Sequence, residues 1–226
     1  MIPLRDEIRS RTTPYINFTL IALNVAIFLL MSLAGPKGYE TALKAMALVP
    51  LWVTRGLDPG DILHILTSMF VHGSLAHLAG NMLYLWIFGD NVEDAMGHVR
   101  YLIFYLLGGF LAAVAHVLTN PYSTVPTVGA SGAIAAVLGA YLVLYPGSRV
   151  QTIIPLGYFI RITVLPAALV LGFWFVYQLI LGFLSLGAPA DAGGVAFWAH
   201  IGGFVAGAAL AKLFAYRPDY YGGRNY

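Results

Sequence analysis

A chain of 226 residues in which 59% are hydrophobic and only 10% charged, with a mean hydropathy of +0.78, is no soluble globular domain, where about a quarter of residues are charged. It reads as an all-α polytopic membrane protein, and its net charge of +2 is too small to point to nucleic acid. The absence of cysteine excludes disulfides and thiolate chemistry and leaves the compartment unread.

In chain order, residues 1–14 form a polar, basic leader without the pattern of a cleavable signal peptide, and an apolar run over 15–34 is long enough to cross a bilayer. From Gly35 to Asp61, Pro36, Pro50 and Pro59 together with Lys37, Lys44 and Arg55 interrupt the apolar residues, which predicts an interfacial loop with short amphipathic turns. A second span is expected over 74–89, then a polar turn from Asp90 to Gly97, a third span over 99–118, and an uncharged loop to Val128 carrying Pro121 and Pro126. The fourth span covers 129–145. After a stretch holding Arg149 and Arg161 come a fifth span over 163–185, a Gly/Ala/Pro loop from Leu186 to Val195, a sixth span over 196–215 and a polar tail over 216–226. No repeat or second domain is visible, so 15–215 reads as one six-helix membrane domain.

Six spans place both termini on one side. With the N-terminus inside, the inner segments carry nine Lys/Arg (Arg5, Arg9, Arg11, Arg100, Arg149, Arg161, Lys212, Arg217, Arg224) and the outer ones three (Lys37, Lys44, Arg55), which assigns both termini to the cytoplasmic side. Spans two, four and six then all start at the outer face. His77 and Asn81, Ser131, and His200 therefore fall at similar depth near the tops of three different spans.

Each of these groups has a bland reading beside the chemical one. Ser131 sits in Gly129-Ala130-Ser131-Gly132-Ala133, where helix-start N–H groups can receive an oxyanion; equally, Gly132, Ala136 and Ala140 can be a packing seam with Ser131 as a cap. His200, with Gly203 and Gly207 on the same helix, is a functional candidate as an intramembrane histidine or a buried hydrogen-bond donor. His77 and Asn81, four apart, share a helix face and suit two converging donors or interhelical packing. His64, His72, His98 and His116 fit structural roles at loops or span ends, and Phe173, Trp174, Phe175 and Tyr177 read as lipid-facing bulk. There is no HExxH, no pair of intramembrane Asp residues and no His/Cys/carboxylate set for a metal, so no metal or cofactor is expected. Serine chemistry remains.

Three stretches together resemble the rhomboid intramembrane serine proteases. They are Gly129-Ala130-Ser131-Gly132 (GxSG), Ala199-His200-Ile201-Gly202-Gly203-Phe204-Val205-Ala206-Gly207 (AHxxGxxxG) and the run from His72 through His77 to Asn81 (HxxxxHxxxN). The resemblance extends from about Thr67 to Lys212 and implies a rhomboid-like six-helix bundle. It implies a Ser131/His200 dyad, an oxyanion hole of the Ser131 N–H, His77 and Asn81, and supporting roles for His72, Gly129, Gly132, Gly203 and Gly207. Glu93, in Phe88-Gly89-Asp90-Asn91-Val92-Glu93, would brace its loop. The implied substrates are transmembrane segments of other membrane proteins within the lipid bilayer, and the expected location is the inner or plasma membrane of a prokaryotic cell. Span four, about 17 residues or roughly 25 Å against a bilayer core of about 30 Å, leaves room for a watery recess. Span five with Pro166 and the loop from Leu186 to Val195 is the expected gate and cap.

Two positions depart from the family pattern. Ala135 stands where many members have an aromatic that packs on the catalytic histidine, so His200 is held from elsewhere or more loosely. Leu63 and His64 stand in place of a Trp-Arg pair in the first outer loop. The alternative reading is a catalytically inactive rhomboid-like protein that binds transmembrane segments without cutting them.

Overall fold

The computed structural model describes residues 1–56, 59–157, 159–187 and 194–216. In chain order it contains β1 (Ile2–Asp6), α1 (Tyr15–Leu33), α2 (Gly35–Met46), α3 (Pro50–Arg55), α4 (Pro59–Ser68), α5 (Leu75–Met96), α6 (His98–Thr119), α7 (Ser131–Leu144), β2 (Arg149–Leu156), β3 (Phe159–Pro166), α8 (Ala167–Ser185) and α9 (Phe197–Phe214). Among the described residues four helices, α1, α6, α8 and α9, are long and apolar enough to cross a membrane, and α7 is a shorter apolar helix of 14 residues.

The chain is mostly helical, but the all-α expectation missed a three-stranded antiparallel sheet in the order β1-β2-β3. β2 and β3 form a hairpin that turns at Gly157, which adopts φ +63°. Ile153, Ile154, Ile160, Ile162 and Val164 supply the β-branched residues that favour it. The fifth apolar segment therefore divides: residues up to Pro166 are strand, and the helix starts only at Ala167, because proline fixes φ and holds the residue before it extended. The leader is not a free arm either, since Ile2 to Asp6 pair with β2.

A second correction concerns the expected turn at Asp90 to Gly97. The helix runs on to Met96, and the turn is confined to Gly97 at φ +77°. The polar residues of this last stretch find partners in the protein instead of water. Asp94 accepts from the backbone N–H and hydroxyl of Thr12, Glu93 accepts from the N–H groups of Ile16 and Asn17, and the Asn91 amide donates to Asp6. The stretch from Gly35 to Asp61, expected as a loop with short amphipathic turns, holds the helices α2 and α3 and the start of α4.

α7 is the central helix. Its residues from Gly132 to Tyr141 are all buried, and it packs against α5, α6, α8 and α9. Small residues set the spacing. A Cβ on Gly207 would strike the Ala136 carbonyl oxygen, and one on Gly139 would strike that of Phe204, so α7 and α9 touch backbone to backbone. Below this seam the core is aromatic, with Phe88, Tyr101, Phe104, Tyr105 and Tyr141 fully buried. A polar knot ties three helices: the Asn17 amide donates to the Leu85 carbonyl, and its oxygen accepts from the Tyr101 hydroxyl at 2.9 Å. Both described ends of the chain meet the last turns of α5, through Asp6 to Asn91 and through the Tyr216 N–H to the Ala95 carbonyl.

Candidate active site

The approach to α7 begins at Gly129, which takes φ +124° and donates its N–H to the Ser68 carbonyl at 2.8 Å. A Cβ there would sit 2.7 Å from His77 Cε1 and 3.6 Å from the Asn81 amide nitrogen, so glycine is required by both conformation and contact. The N-cap of α7 is Ala130 and no side chain caps the helix. Ser131 is its first residue and only half-buried, whereas the residues after it are buried. The hydroxyl is therefore not spent as a cap, and the N–H groups of this first turn have no partner within the helix. The packing seam is real as well: Gly132 lies against Ala112 of α6 and, 3.8 Å from a built Cβ, against Ala199 of α9.

His200 enters from the first turn of α9 and is buried. Gly203 lets this helix come up to the Gly132 carbonyl, which brings the residue after Ser131 against the residue before His200. The third contribution comes from α5, capped by the Ser74 hydroxyl, which accepts the His77 N–H at 3.1 Å. Asn81 follows one turn later. Its amide nitrogen lies 2.9 Å from Nε2 of the fully buried His72, which orients the amide and leaves its second hydrogen for another acceptor. His72 also stacks edge-on to His77, with ring centroids 5.1 Å apart, and its carbonyl accepts the Tyr39 hydroxyl from α2.

Ser131, His200, His77, Asn81, Gly129 and Gly132 all line one cavity of about 850 Å³. Its other walls come from the α6 end around His116, the segment from Asn120 to Val128 and the start of α9. That Pro-containing segment is pinned: Leu48 and Thr127 exchange backbone hydrogen bonds, and Leu51 donates to the Ser123 carbonyl. The loop expected as a cap falls partly outside the described residues, at 188–193, while Gly194 and Val195 line the cavity. Glu93 lies elsewhere, in the last turn of α5, three turns from Asn81, where it holds the start of α1 and lies 2.5 Å from Nδ1 of His98. Among the described residues no group of three His, Cys, Asp or Glu is placed to hold a metal.

Two residues that the sequence reading did not select complete the surroundings of His200. The Gln178 side-chain oxygen lies 2.8 Å from His200 Nδ1, and the Trp174 ring lies 5.8 Å from the imidazole at 37°. Both stand on α8, one turn apart. Ala135, the position expected to matter for holding His200, is buried in the core. The aromatic cluster thus divides: Phe173 and Tyr177 face outward, about half exposed, whereas Trp174 and Phe175 pack against Phe204 of α9. The signal for Gln178 was a lone amide in an otherwise apolar helix.

Among the described residues, four span-length apolar helices, three of them packed on the short central α7, and a cavity where three helices begin define an integral, multi-pass membrane protein. The sequence matches the Rhomboid domain over residues 59–217, and the chain belongs to the rhomboid family. It is similar to the rhomboid protease GluP of Bacillus subtilis, 31% identical over 197 residues, which is 87% of this chain and 35% of that protein. It is also similar to the mitochondrial rhomboid protein 1 of Saccharomyces cerevisiae, 28% identical over 194 residues (84% of this chain, 50% of that protein), and to RHOMBOID-like protein 5 of Arabidopsis thaliana, 30% identical over 166 residues (74% and 48%). The chain spans half or less of the length of these relatives.

Proposed function

We propose that this chain is an intramembrane serine endopeptidase that hydrolyses peptide bonds in or near transmembrane segments of other membrane proteins. The observation that carries this reading is the single cavity lined by Ser131, His200, His77 and Asn81, contributed by three separate helices. Ser131 Oγ attacks the scissile carbonyl carbon while its proton passes to His200; the tetrahedral oxyanion is held by the Ser131 N–H, His77 and Asn81; His200 then gives the proton to the leaving amine. Water repeats the cycle on the acyl-enzyme. His72 orients Asn81 in this scheme, and Gly129, Gly132, Gly203 and Gly207 let the helices approach.

The membrane domain has six spans with both termini in the cytoplasm, the remaining two being α5 and α7. A helix of 14 residues is about 21 Å long, shorter than a bilayer core of about 30 Å, which lets water reach Ser131 from the outer face. Substrate enters sideways between α5 and α8. A second cavity of about 370 Å³ lies beside it, lined by Tyr84 of α5, by Phe173, Trp174, Tyr177 and Gln178 of α8 and by Met1. Small and helix-breaking residues favour cleavage, because an intact helix hides its peptide bonds. The location is the inner or plasma membrane of a prokaryotic cell, although the relatives include mitochondrial proteins as well as a bacterial one.

The test is cleavage of a reporter transmembrane segment by the purified protein in liposomes, with labelling by a serine-reactive phosphonate. Ser131→Ala and His200→Ala are expected to abolish both while the protein stays folded. A protein that neither cuts helix-breaking segments nor labels at Ser131 would instead be a binder of transmembrane segments.

A further inference from the structure

α8 reads Ala-Ala-Leu-Val-Leu-Gly-Phe-Trp-Phe-Val-Tyr-Gln-Leu-Ile-Leu-Gly-Phe-Leu-Ser, and Gln178 is its one amide. A buried amide in such a helix is costly unless it is hydrogen-bonded, and its partner here is His200. With the side-chain oxygen facing Nδ1, the neutral imidazole satisfies this contact only as the tautomer that carries its proton on Nδ1 and leaves the lone pair on Nε2. Trp174, one turn earlier on the same face, lies against the ring and limits its rotation.

We propose that Gln178 is a positioning residue for His200, an uncharged counterpart of the acid that orients the histidine in a three-membered serine protease site. This rests on the protease reading above. Gln178 holds the ring in the tautomer whose Nε2 can take a proton, and it keeps its hydrogen bond when the ring becomes an imidazolium. As the bond from Ser131 Oγ to the carbonyl carbon forms, the Oγ proton moves to Nε2, and Nδ1–H continues to donate to Gln178. When the acyl-enzyme forms, the Nε2 proton leaves with the amine and the ring returns to its starting tautomer. Gln178 also lines the cavity between α5 and α8, so the helix beside the proposed entry route is the one that orients the base.

The experiment uses the full chain in liposomes with the reporter segment, comparing the unsubstituted protein with Gln178→Leu and Gln178→Glu. Gln178→Leu is expected to lower kcat roughly 10- to 100-fold with KM within about twofold, and to slow phosphonate labelling in parallel. Gln178→Glu, which restores an acceptor, should recover most of that loss. Nitrogen-15 NMR of His200 in the Ser131→Ala protein, with Gln178 intact, reads the tautomer directly and does not depend on the leucine variant folding. Protonation on Nδ1 is expected, whereas protonation on Nε2, or a folded Gln178→Leu protein with undiminished kcat, overturns the proposal. No cleavage and no labelling by the unsubstituted protein would instead sink the protease reading itself.

Discussion

A carboxylate oxygen of Glu93, in the last turn of α5, lies 2.7 Å from the backbone nitrogen of Asn17, in the first turn of α1, while its other oxygen accepts from the Ile16 N–H. A fully buried carboxylate thus satisfies the orphan donors of a helix start and sits at the positive end of its dipole. Glu93→Ala should destabilise the protein by about 2–4 kcal/mol, and Glu93→Gln, which keeps one acceptor, by about 1–2 kcal/mol. Unfolding of the purified protein in mixed micelles with rising SDS measures both, and equal midpoints for the three proteins would contradict the assignment.

The α7–α9 seam yields a steric prediction. Gly207→Val drives a side chain into the Ala136 carbonyl, where only backbone movement can make room, and should cost about 1–3 kcal/mol and displace the start of α9 with His200. Gly172→Ala on α8 is the control, since a Cβ there meets nothing within 4 Å. Phosphonate labelling at Ser131 should slow for the first, about tenfold for each 1.4 kcal/mol that falls on the geometry of the site, and not for the second.

Gly129→Ala combines a disfavoured φ of +124° with a Cβ 2.8 Å from His77 Nε2. The backbone strain alone amounts to about 1–3 kcal/mol. Because the clash falls on the proposed oxyanion donors, kcat should drop further than stability does. A variant as active as the parent would separate His77 from the oxyanion site.

Asp6 makes stability depend on pH. Burial pushes its carboxyl up to about 7 from the usual 3.8, against the pull of the Tyr141 hydrogen bond and with Asp90 and Glu7 adding to the rise. The folded state therefore keeps a proton that the unfolded chain has lost, so this group's contribution falls as pH rises from about 4 to about 7 and is constant above. Asp6→Asn retains an oxygen to accept from Tyr141 and Asn91 and has no proton to lose. Its unfolding midpoint should show a smaller fall across that pH window than the parent's; identical slopes would exclude Asp6 as the cause.

The residues round the cavity were legible because each lies in a short local pattern: His77 and Asn81 one helical turn apart, Ser131 among small residues at a helix start, His200 followed by Gly203 and Gly207. Local spacing and small-residue patterns survive in one dimension, as does the hydropathy that marks a membrane chain. Gln178 and Trp174 carried no such pattern, since their meaning depends on α8 crossing beside α9. The sheet was hidden for a related reason, because an apolar strand ending at Pro166 and an apolar helix beginning at Ala167 make one continuous hydropathy signal. The helix past Asp90 was hidden because polar residues look solvated until their partners, Thr12, Ile16, Asn17 and Asp6, are brought from the far end of the chain. Composition and spacing picked out side chains that the fold gathers round one cavity. Only the tertiary packing decided what holds them, because a buried polar group takes its role from the partner that satisfies it, and that partner is set by how distant helices cross.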